Sequence, residues 1–200
     1  FAFLLVEGFF HTRDLRRYVL RLLLLALLSE IPFDLMYAGT SFFPFHQNVI
    51  WTFLIALFCM WVIERVKRRG NLWLTLLAAA GMSLAGWLAG TIAMVDYYGA
   101  GVLTVLVFYL FRGGLWWQRL GQAAGMIWIN CGLLAGLVLQ VNILGLTVEF
   151  PQQGFALLAL IPIWLYRGRQ GYHSRWVQMA CYLFYPVHIL VLAMMVRFLL

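Results

Sequence analysis

Ser29-Glu30-Ile31-Pro32-Phe33-Asp34 stands near the end of an otherwise apolar stretch, Tyr18 to Leu35. A spacing of four puts both carboxylates on one helix face. Pro32 cannot donate to the carbonyl of Leu28 and leaves it free. In a lipid-buried helix these features cost free energy, roughly 3 kcal/mol for a charge at the centre and less near the interface. Such a cost marks a functional site. The plainer alternative is that Asp34 is interfacial and Pro32 ends the helix.

Composition sets the environment. Hydrophobic residues make up 64%, charged residues 10%, and mean hydropathy is +0.90, whereas a soluble domain is roughly 25% charged. This is an integral membrane protein, read as one transmembrane domain over residues 1–200. Cys59, Cys131 and Cys181 are odd in number, lie in apolar segments and form no CxxC. They read as buried free thiols, with no disulfide frame and no metal site.

Working outward, the apolar segments are Phe1–Phe10, Tyr18–Leu35, Val49–Val62, Leu72–Val95, Tyr97–Phe111, Leu115–Val141, Gly154–Tyr166 and Trp176–Phe198. A crossing needs about 20 residues. The fold class is therefore all-α, a polytopic bundle of about eight spans. The chain opens inside an apolar run without a charged signal-peptide region, which reads as a helix whose start lies upstream. All Lys and Arg except Arg197 fall on alternate connections: Arg13 to Arg21, Arg65 to Arg69, Arg112 and Arg119, and Arg167 to Arg175. That alternation marks a cytoplasmic face. It assigns the formal charge of +7 to topology and anionic lipid, not to nucleic acid. Gly86/Gly90, Gly121/Gly125 and Gly132/Gly136 are GxxxG pairs suited to close helix packing.

The polar residues need partners. Glu7 and His11 share a face of the first helix, and Arg21 is the partner expected for Glu7. A helix clasp and a substrate site both stay open there. On the opposite side, His46-Gln47-Asn48 follows a short connection, so His46 is expected near Asp34 with Glu30 one turn deeper. A carboxylate beside an imidazole is the base-plus-orienter arrangement of acyl transfer; a polar knot sealing a turn is the other reading. Asp96 with Tyr97 and Tyr98 forms a second spot, the tyrosines reading as an aromatic belt. Tyr185 and His188 flank Pro186 on one face of the last helix, where His188 is expected to line a cavity. His173 reads as a solvated loop residue. GxGxxG, P-loop, HExxH and GxSxG motifs are absent from the sequence.

Phe3-Leu4-Leu5-Val6-Glu7-Gly8-Phe9-Phe10-His11-Thr12, Arg21-Leu22, Ser29 to Leu35 and His46-Gln47-Asn48-Val49 together resemble the TraX family. Asp96-Tyr97 with Gly99, Phe108 to Arg112 and Tyr185-Pro186-Val187-His188 are similar to its later blocks. The resemblance implies a membrane acyltransferase of the bacterial inner membrane. It would pass acetyl from cytoplasmic acetyl-CoA to a pilin N-terminus or an envelope component. It also implies a key histidine on an early helix, placed upstream of Phe1.

On this reading Arg13, Arg16 or Arg17 pairs with the phosphates of acyl-CoA. His46, or the histidine implied upstream of Phe1, acts as base, with Asp34 or Glu30 orienting it. Glu7, His11, Arg21, Gln47, Asn48, Asp96, Tyr185 and His188 form the wider substrate site. Acetyl-CoA is a donor substrate, and no bound cofactor is expected. The rival classes are a proton-coupled permease, with Glu7, Glu30 and His188 as stations, and a non-catalytic scaffold of the envelope.

Overall fold

The computed structural model describes residues 1–143, 146–166, 168 and 174–199. Their helices are α1 (Ala2–His11), α2 (Leu15–Tyr37), α3 (Val49–Lys67), α4 (Leu72–Ile92), α5 (Tyr98–Leu110), α6 (Trp116–Ile127), α7 (Leu160–Leu165) and α8 (Arg175–Leu199). Three helix starts are written in the sequence as caps. The side chains of Asp14, Asn48 and Asn71 accept the amides of Arg17, Ile50 and Leu74, each satisfying an otherwise orphaned helix N–H.

Among the described residues, three helices are long and apolar enough to cross a membrane: Val49–Lys67, Leu72–Ile92 and Met179–Phe198 within α8. The expected count of eight is not reproduced. α2 has the length, at 23 residues, but carries Arg21, Glu30 and Asp34. α1 and α5 run only 10 and 13 residues. The segment Leu115–Val141 breaks where Asn130 Nδ2 donates to the Met126 carbonyl at 2.9 Å. A π-helical turn, Trp128–Leu133, follows from that competition with the backbone ladder. The chain then forms an antiparallel hairpin, β1 (Val138–Ile143) with β2 (Leu146–Pro151), an exception to the all-α expectation. Gly154–Tyr166 becomes a 3₁₀ helix, Gln152–Ala159, running into short α7 around Pro162.

α3 is the central helix, with Ala56, Leu57, Cys59, Met60 and Ile63 buried. α4 and α5 pack on it and on each other, while α8 lies along α2. Gly86 and Gly90 make the α4–α5 approach possible. A Cβ at Gly86 would sit 2.8 Å from Val102, and one at Gly90 would sit 2.9 Å from the Tyr98 carbonyl. Gly121 and Gly125 face Phe111 and Val107 in the same way, whereas Gly132 and Gly136 meet no neighbouring helix. Only 6% of the apolar window of α4 is buried, so Trp73, Leu77 and Ile92 present a face suited to hydrocarbon. Of the cysteines, Cys59 is buried, Cys131 half-buried and Cys181 exposed, which corrects the expectation that all three are core residues.

Pro32 does not end α2; the helix continues to Tyr37. The connection after it folds back along the last turns of α2. Phe43 N–H donates to Asp34 at 2.8 Å, and Asn48 Nδ2 donates to the Ala26 carbonyl at 2.9 Å. α3 therefore starts level with Ala26, and this return brings Glu30, Asp34, His46 and Asn48 to one end of the bundle.

Candidate functional site

Two connections lacking Lys and Arg meet at the face opposite the arginines. Gln47 N–H donates to the Met94 carbonyl at 2.9 Å, and Asp96 N–H donates to the Gln47 carbonyl at 2.8 Å. Thr52 of α3 adds a hydroxyl bond to the Asp96 carbonyl at 2.9 Å. The 93–98 backbone carries strain: Met94, Tyr97 and Tyr98 all have left-handed φ, at 51°, 60° and 48°. Each such non-glycine residue costs about 1 kcal/mol or more, and these conformations gather at functional sites.

This junction sets His46 Nε2 3.8 Å from Asp96 Oδ1. The imidazole is buried and stacks on Tyr37 with ring centroids 4.4 Å apart; Phe33 and Tyr98 flank it at 5.7 and 5.6 Å. Its Nδ1 is buried and has no partner among the described residues. Burial pushes the Asp96 carboxyl above the usual carboxylate range, while the imidazole acts in the opposite direction.

The expected orienters of His46 are otherwise engaged. Asp34, 1% exposed, holds the Phe43 amide through Oδ2 and leaves Oδ1 unpartnered. Glu30 Oε2 accepts from the Asn48 amide and from Trp51 Nε1, the latter at 3.0 Å, while Oε1 is unpartnered. Ser29 Oγ is a fourth orphan. Imidazole, carboxylates and amide do gather at one end as expected, but the carboxylate facing the imidazole is Asp96. Gln47 contributes through its backbone, its side chain donating to the Pro44 carbonyl at 3.0 Å.

A cavity of about 670 Å³ lies beneath this end. Its wall runs from Tyr18 and Ser174 toward the arginine-rich face up to Thr52 and Tyr97, with Asn130 and Tyr185 along the side. Thr52 both lines the cavity and holds Asp96, so the space ends one residue from the His46–Asp96 pair.

At the arginine-rich face the expected pairing changes partner. Glu7 is clamped by Arg112, Nε to Oε1 at 2.7 Å and Nη2 to Oε2 at 3.1 Å. The Arg112 guanidinium also stacks over Phe10 at 4.3 Å. Arg21, the partner expected from the sequence, instead lines a groove between α2 and α8. Packing of α1 on α5 brings Arg112 closer. His11 Nδ1 turns onto the Glu7 carbonyl at 2.8 Å. Arg13, Arg16 and Arg17 are exposed, Arg17 pairing with Asp14 at 3.0 Å.

His188 is not among the cavity residues. It is exposed, stacked on Phe184, with Nδ1 3.3 Å from the Tyr185 carbonyl. His173, Arg167 and Arg169 lie outside the described residues. Among those described, no three His, Cys, Asp or Glu residues are placed to hold a metal.

Sequence reasoning overlooked Trp51, Thr52, Tyr37 and Arg112. Trp51 and Thr52 could have been found, since they follow the Asn48 cap within one helical turn. Tyr37 lies one turn past Phe33 on the same helix, whereas Arg112 reaches Glu7, at the opposite face, only through long-range packing.

The family described as TraX protein matches residues 1–196, and the chain belongs to the TraX family. No curated protein and no solved structure matches it. With three apolar helices of spanning length, it is a membrane protein.

Proposed function

We propose that this TraX-family chain is a multi-pass acetyltransferase of the bacterial inner membrane. It would move acetyl from cytoplasmic acetyl-CoA to an amine or hydroxyl at the far face, on a pilin-like protein or an envelope component. The observation that carries this reading is the buried His46, with Asp96 on one ring nitrogen and the other nitrogen unpartnered. A carboxylate on Nε2 orients the ring and favours the tautomer in which Nδ1 is free to take a proton. The 3.8 Å separation is loose for a hydrogen bond, as catalytic contacts often are before substrate binds.

In the proposed step the acceptor N–H or O–H gives its proton to His46 Nδ1 as its lone pair attacks the thioester carbonyl. The C–S bond breaks, and the coenzyme A thiolate leaves and takes up that proton. Asp96 stabilises the imidazolium in between. The cavity supports a donor route. From the level of Tyr18 to that of Ala26 it follows about 12 Å of α2 at 1.5 Å per residue. A thin, flexible acyl-carrying arm fits such an apolar space, while the coenzyme phosphates stay with Arg13 and Arg16.

The test is acetyl-CoA turnover by the purified chain in proteoliposomes, with a short peptide bearing a free N-terminus as acceptor. Saturable transfer that disappears in His46→Ala supports the reading; transfer that persists in that variant overturns it. A second reading, proton-coupled transport, is favoured by the unpartnered Glu30 Oε1 and Asp34 Oδ1. It predicts solute flux that needs a proton gradient and no acetyl-CoA.

A further inference from the structure

The groove lined by Arg21 has its own chemistry, independent of the transfer reaction. It measures about 380 Å³ and is formed by Arg21, Leu24 and Leu28 of α2 with Met179, Tyr182 and Leu183 of α8. Its two ends differ. Arg21 is exposed and stands two turns into α2, close to the arginine-rich face. No carboxylate pairs with it among the described residues, and Glu7 is held by Arg112. Tyr182 lines the groove beside Arg21 and supplies a phenolic hydroxyl. Further along, Leu24, Leu28, Met179 and Leu183 are each 43–58% exposed and form one continuous apolar wall.

A cation at the headgroup level with an apolar channel running toward the membrane centre matches an anionic amphiphile. A guanidinium beside a hydroxyl binds phosphate oxygens by charge-assisted hydrogen bonds. A basic pocket between helices at the cytoplasmic side is how membrane proteins hold acidic headgroups. We propose that this groove is a binding site for one anionic glycerophospholipid of the inner leaflet, its phosphate on Arg21 and an acyl chain along Leu24, Leu28 and Leu183. The lipid would fasten α8 to α2, the pair of helices that brings Tyr185 to the cavity.

The test is native mass spectrometry of the full chain in detergent, titrated with phosphatidylglycerol or phosphatidylcholine. The expected result is one retained phosphatidylglycerol, bound about tenfold more weakly by Arg21→Gln and unchanged within twofold in Arg16→Gln. Leu28→Trp fills the groove with the charge intact and should also lose the adduct. It keeps the test decisive if Arg21→Gln fails to fold. Equal retention of the two lipids, equal losses in Arg21→Gln and Arg16→Gln, or full retention in Leu28→Trp would overturn the site. Competition by inorganic phosphate alone would reassign it to a free anion.

Discussion

The carboxylates at the two ends of the bundle are held in opposite states. At the arginine-rich end, Glu7 has both oxygens on Arg112, and Glu64 accepts from Tyr109 at 2.9 Å and Lys67 at 3.4 Å. At the far end, Ser29, Glu30, Asp34 and His46 each keep a buried polar atom without a partner, beside a backbone strained at three residues. Satisfied buried polar groups hold helices together, whereas unsatisfied ones carry a desolvation cost of roughly 1–3 kcal/mol each. The difference separates a clasp from the proposed site, although the sequence shows charged residues near both.

The sharpest way to break this comparison is His46→Ala. It should lower the acetyl-transfer rate by about 10²- to 10⁴-fold, the usual worth of a positioned base, while the melting temperature in detergent stays within a few degrees. Glu7→Gln should do the reverse. Removing one partner of a half-exposed clamp costs about 1–2 kcal/mol, read as a lower unfolding midpoint, with the rate per folded molecule unchanged. A rate loss without a stability loss at Glu7 would erase the distinction between the ends.

Asn48 sharpens it further, because it caps α3 and also donates to Glu30 and Ala26. Asn48→Ala should cost about 1 kcal/mol for the cap alone. Asn48→Asp keeps a good cap but sets a carboxylate against Glu30, and should be at least as destabilising by thermal unfolding. The smallest effect concerns Asp96. Its carboxyl is raised by burial in the folded state, so the folded protein holds the proton at pH values where the unfolded chain has lost it. That contribution is fully present below the ordinary aspartate range and fades as pH rises through the raised value. The stability of wild type relative to Asp96→Asn should therefore fall as pH rises above the ordinary aspartate value of about 4, measured as paired melting curves.

Much of the frame was legible because it is local. The apolar segments and the alternation of Arg and Lys are read directly along the chain, and the Ser29–Asp34 and His46–Asn48 stretches do fold to one end. The Asp14, Asn48 and Asn71 caps are equally local but were not among the expectations. Partner identity was not legible. Glu7 pairs with a residue 105 positions away, and His46 meets Asp96 only because two connections share a backbone bridge between Gln47 and Val95. The left-handed Tyr97 and Tyr98 carry no glycine to announce the turn. Leu115–Val141 read as one long span; the bond of Asn130 to the Met126 carbonyl marks where it turns π-helical and breaks.

The account stands most directly on His46 and Asp96 acting as one unit across two connections. A double-mutant cycle of acetyl-transfer rates tests this, with His46→Gln, Asp96→Asn and the pair in proteoliposomes at saturating acetyl-CoA. Coupling predicts that the double variant is no slower than His46→Gln alone, because Asp96 acts only through the imidazole. Losses that multiply in the double variant would mean two independent roles and would contradict the pairing.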